Sequence, residues 1–591
     1  MIEENPLLLL RETMQQHNVS AVVIPGTDPH GSEYIADYWQ EMNYISGFTG
    51  EAGTVVVTTN EAALWTDSRY FLQAPEQIEP RGIQLMRDGE ATTPSIAEWL
   101  SSVLDKESVV SINPQLFSIN AYMALNDILS SNGITLSTEG DFVDEIWAER
   151  PLLPTNPIFQ MPRTVDGRTP GDKLKMVRTE MTKAGLEAWL ATSLDDIAWI
   201  CNLRGSDIAY NPVFMAYMLI ESNSATLFVD GSKISDITAA SIGRQGIAIK
   251  DYNEITLAIA AVGRKIGMDF SKANYSLYKA AQINGGAKHI PSPVTLMKGI
   301  KNNIELAGMR KAMVRDGVAM VKFLRWLELQ MQASEITELD VVKRLHEFRA
   351  EQDCFVGESF ATIAAYGPHA AIVHYEPTPE SNIALQPKGY LLLDSGGQYL
   401  DGTTDITRTI PLGAVTGEQR MNYTMVFKGM VALANAKFPH GTRGAQLDVL
   451  ARQYLWQHNK NYGHGTGHGV GHFLNVHEGP HSIRMQENPV VLEPGMVMSD
   501  EPGYYQANSH GIRIENIIAV ASGREVNSNK FLHFDTLTLC PIDLKTLIRQ
   551  YITPEEVEWI NSYHQMVYKR LAPMLDKEHQ KWLMRKCAKY I

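Results

Sequence analysis

Residues 391–408 read LLLDSGGQYLDGTTDITR and place two carboxylates, Asp394 and Asp405, on either side of a turn signal. Asp394 closes the apolar run Tyr390–Leu393, which has the look of a buried strand. Asp401-Gly402 is a hairpin-turn dipeptide, and the β-branched run Thr403–Ile410 is expected to return as the partner strand. A carboxylate at the end of a buried strand is costly unless it is paired or bound to a cation. Asp394 and Asp405 therefore call for accompanying groups elsewhere in the chain.

Three later stretches supply them: YGHGTGHGVGHFLNVHEGP at 462–480, MSDEPGYY at 498–505 and GIRIENI at 511–517. They add His468, Glu501 and Glu515. Four carboxylates and one imidazole exceed what a single divalent ion needs. They suit two ions that share bridging carboxylates, lower the pKa of a shared water and clamp a hydrolytic transition state. Such a donor set favours Mn, with Co or Zn as substitutes. Any one of these acids taken alone reads as a surface charge or a helix cap. Their joint setting, in glycine-rich and proline-bounded segments, is what points to a site.

His464, His468 and His472 recur every four residues, as they would on one helix face. Glycines at 463, 465, 467, 469 and 471 argue against a helix and for backbone crowded close to a ligand. No Gly-Lys-Ser/Thr follows, so a phosphate loop is a poor alternative. His374 in AIVHYEP and His477 in NVHEGP, taken alone, read as core histidines.

These motifs resemble the pita-bread metallopeptidases, most closely the three-domain Xaa-Pro aminopeptidases. The matching stretches are AIVHYEP, DSGGQYLDGTTDITRT, GHGTGHGVGHFLNVHEGP, SDEPGYY and GIRIEN, with SEYIADY, SGFTGEAGT, LWTDSRYFLQA, DDIAWICNLRGSDI and NPVF nearer the front. The resemblance implies two similar α/β domains of creatinase/prolidase N-terminal type, followed by an α+β pita-bread catalytic domain. It implies removal of the first residue from peptides with proline second, by a water or hydroxide bridging two metal ions. Asp394, Asp405, His468, Glu501 and Glu515 would be the metal ligands, with Asp405 and Glu515 shared. Glu501 would carry the proton, assisted by His374, His464 and His477. His374, His477, Arg513 and Tyr504 would contact substrate, with Tyr505 a further wall of the pocket. His472 is left structural. A homodimer acting on short peptides is also implied.

Two other readings stand beside this one. A prolidase or a methionine aminopeptidase has similar motifs, but the long N-terminal region argues against both. A non-catalytic pita-bread module that binds peptides would typically have lost metal ligands, and here all five are present.

The chain of 591 residues is too long for one core. Composition shifts divide it at 1–155, 156–303 and 304–591, with a proline-rich linker over 146–162 and a second boundary at 289–294. VSAVVIPGTDPHGSEYIA and LEAWLATSLDDIAWI echo one another, as a duplicated α/β domain would. In the first domain a helix is expected over 6–16, a strand over 19–24, a hairpin over 53–65 and a helix over 67–77. In the third, helices capped by Asn303, Thr337/Asp340, Thr416/Gln419 and Thr553/Glu556 are expected. The stripe Val557, Ile560, Tyr563 and Val567 should pack onto that domain.

A formal charge of −15 argues against non-specific nucleic-acid binding. The four scattered cysteines have no metal-knuckle spacing, so free thiols in a reducing, cytoplasmic setting are expected. The opening MIEENPLLLLRETM reads as neither a signal peptide nor a membrane span.

Overall fold

The computed structural model describes residues 5–526 and 529–591, so the first four residues of the acidic opening lie outside it. The chain forms two compact units, Met1–Met161 with Arg168–Val294, and Pro162–Gly167 with Thr295–Ile591.

The first unit carries two six-stranded mixed sheets. In one, Ala21–Pro25 pairs antiparallel with Thr54–Thr58 and parallel with Val109–Ile112. In the other, Ala188–Ala191 pairs antiparallel with Tyr217–Glu221 and parallel with Ile266–Met268. Strand order and every parallel or antiparallel choice are the same in both. The loose internal echo in sequence is therefore a true repeat of topology. The helix Pro6–Gln16 forms as expected, capped by Asn5, and buries Leu7, Leu10 and Met14 against Ile24, Val55 and Leu64.

The expected helix over 67–77 forms only as Gln73–Ile78. The Asp67 side chain accepts from the Arg69 amide at 3.0 Å and from its guanidinium at 2.9 and 2.7 Å. This local bonding holds residues 67–70 in a turn and outcompetes the first helical turn.

The second unit is α+β. The helix Asn303–Ala333 is capped by Asn302, one residue before the expected cap, in a reciprocal box with Glu305. The boxes Thr337/Asp340, Thr416/Gln419 and Thr553/Glu556 all form. Ala319, Met320, Phe323, Val341 and Leu345 bury one side of an antiparallel sheet through Leu391, Leu393 and Ile406. That sheet comprises Ile363–Tyr366, Tyr390–Ser395 and Ile406–Pro411. A second antiparallel sheet holds Lys437–Pro439, Asn529–Thr536, Asn516–Val526 and Val497–Asp500. Ile560, Tyr563 and Val567 of the C-terminal helix join the core around Val426, Phe427 and Met430, with Val557 packed on its edge.

The first sheet is stitched to the segment that leads into the second. The Glu515 amide donates to the Thr407 carbonyl at 3.1 Å, and the Arg513 amide donates to Thr409 Oγ1 at 3.1 Å. All four cysteines are free thiols. Among the described residues no helix is long and apolar enough to cross a membrane.

Candidate metal centre

The stitch point gathers the acids. Asp394 is buried near the end of the Tyr390–Ser395 strand, opposite Thr407. The expected return strand over 403–410 is interrupted at Thr404–Asp405. Gly402–Thr403 pairs with Gly397–Tyr399 in one small sheet, and Ile406–Pro411 pairs with Tyr390–Ser395 in another. Asp405 sits where the chain changes partners, buried and outside both ladders. Asp401 takes no part: Arg315 Nη1 holds its carboxylate at 2.6 Å.

The glycine-rich stretch forms no helix; its only strand is Gly467–His468. The crowding expected there comes from protein backbone rather than from a ligand. A Cβ at Gly467 would lie 2.1 Å from the Ser499 carbonyl oxygen, and one at Gly469 would lie 2.0 Å from that of Glu478. Glycine lets the His468 segment press against both neighbours and brings the imidazole to the acids. His472 is buried beside Gly308, with its Nε2 3.2 Å from where a Gly308 Cβ would be.

His468 Nδ1 lies 2.9 Å from the Gly469 carbonyl oxygen. A carbonyl only accepts, so Nδ1 carries a hydrogen and Nε2 is the nitrogen turned to the acids. Nε2 faces Asp405 Oδ2 at 3.4 Å and Glu501 Oε1 at 3.3 Å. Two carboxylate oxygens and an imidazole nitrogen converging on one point is an arrangement that a shared cation stabilises. Ligand atoms of Asp405, His468 and Glu515 all lie within 4.8 Å of one another, a span that a metal ion would fill. Asp394 Oδ1 and Glu515 Oε1 are buried and accept no hydrogen bond among the described residues. Native interiors rarely leave carboxylate oxygens so, and the donor set fits hard or borderline divalent ions.

Electrostatics agree. Burial pushes Glu515 well above the ordinary carboxylate range, and the charges of Asp405 and Asp394 push it further. Burial raises Asp394 too, opposed chiefly by Arg513. Glu501 is pushed up to about 7 by burial, with His468 and Arg513 pulling the other way. Burial thus favours the protonated forms of Asp394, Glu501 and Glu515, and a bound cation would favour their charged forms.

Around the acids lie the groups expected to face substrate. Arg513 donates to Asp394 Oδ2 from Nη2 at 2.5 Å and from Nε at 3.1 Å. Its Nη1 donates to the Tyr505 hydroxyl at 2.5 Å. His464 Nδ1 donates to the Gly465 carbonyl at 2.7 Å, so its Nε2 accepts from the Tyr505 hydroxyl at 2.8 Å. Burial and the Arg513 charge hold His464 well below the usual imidazole value, so it is neutral. The His477 ring is 4.3 Å from that of His468, and the His374 ring lies 6.4 Å beyond it. The two tyrosines part company. Adjacent residues of the Gly503–Gln506 strand point to opposite faces. Tyr505 joins Arg513 and His464, whereas the Tyr504 ring lies 4.5 Å from Lys460 Nζ.

Three residues at the site escaped the sequence reading. Thr407 Oγ1 donates to Glu515 Oε2 at 2.8 Å. Ser499 Oγ accepts from the His468 amide at 2.9 Å and donates to Glu501 Oε1 at 3.1 Å. Each stands two positions from an acid on an extended segment, so the period of two was a usable signal. Asp500 is fully buried, and neither carboxylate oxygen has a hydrogen bond among the described residues; nothing in the sequence marked it.

Residues 307–522 match the model of metallopeptidase family M24, and 530–590 match the C-terminal region of peptidase M24. Residues 7–145 and 149–305 each match a creatinase/prolidase N-terminal domain. The chain is 39% identical over 589 residues to Xaa-Pro aminopeptidase 1 of Dictyostelium discoideum, across 96% of this chain and 93% of that one.

The chain belongs to the Xaa-Pro aminopeptidases of metallopeptidase family M24.

A solved structure agrees over the whole length. The X-prolyl aminopeptidase of Caenorhabditis elegans, described as a cytosolic enzyme with a di-nuclear active site, superposes with a TM-score of 0.95 at 34% identity, covering 99% of this chain and 100% of that one. The Xaa-Pro dipeptidase of Bacillus anthracis shares the fold over only 64% of this chain, at a TM-score of 0.52 and 24% identity. The two α/β lobes followed by a pita-bread domain are the architecture that the sequence motifs implied.

Proposed function

We propose that the acid cluster is the catalytic centre of a metal-dependent aminopeptidase that removes the N-terminal residue from peptides whose second residue is proline. The observation that carries this reading is the convergence of His468 Nε2 on Asp405 at 3.4 Å and on Glu501 at 3.3 Å. Such an arrangement makes sense around a cation, and family membership says what the cation is for.

Asp394, Asp405, His468, Glu501 and Glu515 would hold two ions in this proposal, with Asp405 and Glu515 serving both. When bound, the ions would supply an acidified water and Lewis-acid stabilisation of a developing oxyanion. Mn is the metal proposed, on the carboxylate-rich donor set. Arg513 fixes the outer oxygen of Asp394 and leaves Oδ1 for ligation. Thr407 does the same for Glu515 through Oε2. Glu501 takes the proton from the attacking water and returns it to the proline nitrogen, which carries no hydrogen of its own before cleavage. His374 and His477 face the substrate carbonyl and donate to the oxyanion. Neutral His464 orients the Tyr505 hydroxyl. Tyr504 was expected to touch substrate, but its packing on Lys460 favours Tyr505 in that role.

The proposal extends to organisation. Residues 1–155 and 156–303 would be the two α/β domains, and 304–591 the catalytic domain with its helical extension. The like topology of the two sheets supports the first division. A homodimer and a cytoplasmic location are proposed on the family resemblance, the free thiols and the formal charge of −15.

A prolidase would cut Xaa-Pro dipeptides instead; the full-length likeness at 39% identity, to an Xaa-Pro aminopeptidase, supports the aminopeptidase reading. The test is hydrolysis of Ala-Pro-Leu, acetyl-Ala-Pro-Leu and Ala-Pro by the full chain, with and without Mn. Release of alanine from the free tripeptide alone, dependent on metal, is expected. Preferential cutting of the dipeptide or of the acetylated peptide would overturn the reading.

A further inference from the structure

The unit that carries the acid cluster also holds a cavity of about 580 Å³, which none of the five candidate ligands lines. Leu327, Ile410, Leu412 and Trp582 form its apolar wall. Four cations border it, Arg408, Arg420, Lys545 and Lys586, against the two carboxylates Glu328 and Asp543. The carboxylate of Glu328 is already engaged: it accepts from Lys586 Nζ at 2.8 Å and from Trp582 Nε1 at 3.1 Å. Lys545 and Arg420 are exposed, so their charge remains available at the cavity.

The chemistry of the lining selects an occupant. An apolar wall of this size suits a small organic molecule rather than an ion. The excess of cations at the border selects a negative end. We propose that this cavity is a regulatory binding site for a small carboxylate with an apolar body.

The regulatory element is Arg408. It borders the cavity, and it lies on the strand that follows Asp405. Its Nη1 donates to the Glu515 carbonyl at 2.5 Å, and its Nη2 donates to Asn516 Oδ1 and to the Cys540 carbonyl, each at 2.9 Å. Thr407, its neighbour in the chain, donates to the Glu515 carboxylate from the other face of the strand. An occupant pressing on Arg408 and on the adjoining segment 541–543 therefore leans on the residues that hold Glu515 in place. One strand separates the cavity from the metal ligands. Arg408 is fully engaged, so it transmits the occupant's presence, while Lys545 and Arg420 attract the carboxylate.

The test uses the metal-loaded full chain and isothermal titration calorimetry at neutral pH. Octanoate is the first probe, and octylamine carries the opposite charge on the same body. Octanoate is expected to saturate one site with a Kd on the order of 10–100 µM, and octylamine to bind at least about ten-fold more weakly. Acetyl-Leu-Leu distinguishes a peptide carboxyl terminus from a fatty acid as the source of the carboxylate. Lys545→Ala should weaken octanoate about ten-fold, and Leu412→Trp, which fills the apolar wall, should abolish the binding. Equal affinity for octylamine, or octanoate binding untouched by both substitutions, overturns the site; the second result would place the carboxylate on the metals instead. The coupling is read separately as a change of about two-fold or more in kcat or KM on adding octanoate, lost in Leu412→Trp. Saturable binding with both constants unchanged overturns the coupling. This kinetic arm rests on the aminopeptidase reading, whereas the calorimetric arms do not, so the two failures are distinguishable.

Discussion

The Arg513 guanidinium grips a single oxygen of Asp394, Oδ2, through Nη2 at 2.5 Å and Nε at 3.1 Å, and leaves Oδ1 buried and without a hydrogen bond. A carboxylate held by one oxygen is charge-compensated and oriented at once, with its other oxygen left for a cation. Arg513→Ala should leave a buried, uncompensated acid, and turnover should fall by about 10²-fold with weakened metal retention. Arg513→Lys should recover only part of this, because a lysine lacks the planar fork. Steady-state kinetics with metal analysis of both variants checks the prediction. Full activity in Arg513→Ala would show that Asp394 needs no orienting partner.

Asp405 and Glu515 are proposed to be shared between two ions, and His468 to belong to one. Glu515→Ala or Asp405→Ala should lose both ions, while His468→Ala loses less. His374→Ala and His477→Ala should keep their metal and lose about 10²–10³ in rate. Two full equivalents of metal in Glu515→Ala, measured by mass spectrometry of the elements, would sink the shared role. Stoichiometric loss of metal in His477→Ala would move that histidine into the ligand set.

The Tyr505 hydroxyl stands between Arg513 Nη1 and His464 Nε2 at 2.5 and 2.8 Å, while Tyr504 packs against Lys460. Tyr505→Phe should lower kcat by about ten-fold or more, by releasing both partners. Tyr504→Phe should leave it within about two-fold. Equal effects in the two variants would return Tyr504 to the site.

The pH dependence of the metal-free protein has a definite sign. Glu501 is raised to about 7, and Asp394 and Glu515 are raised as well, because burial penalises their charged forms. The folded state therefore binds more protons than the unfolded one between the ordinary carboxylate range and about 7. Stability of the chelated protein is fullest below that range and falls as pH rises towards neutrality. Calorimetric melts after chelation should show a lower Tm at pH 8 than at pH 5.5. Added Mn should reverse the loss, and Glu501→Gln should reduce it. A chelated protein more stable at pH 8 would contradict the burial argument.

Local sequence determined the element types in the places where local energetics decide. Reciprocal caps at Thr337, Thr416 and Thr553 could be read directly, because a capping box is built within four residues. The same holds for Pro6–Gln16 and for the buried strand ending in Asp394. The candidate ligands were legible because each sits in a short motif with its own backbone signature. Where a side chain had to choose between local and distant partners, sequence was less informative. Asp67 bonds Arg69 and suppresses a helical turn. Asp405 falls outside any strand, because the chain changes sheets there. Only the folded chain decided which tyrosine meets Arg513, which nitrogen of His468 faces the acids, and that Gly467 and Gly469 are pressed by protein backbone. Those outcomes depend on register and on partners from other segments of the chain, which spacing along the chain does not encode.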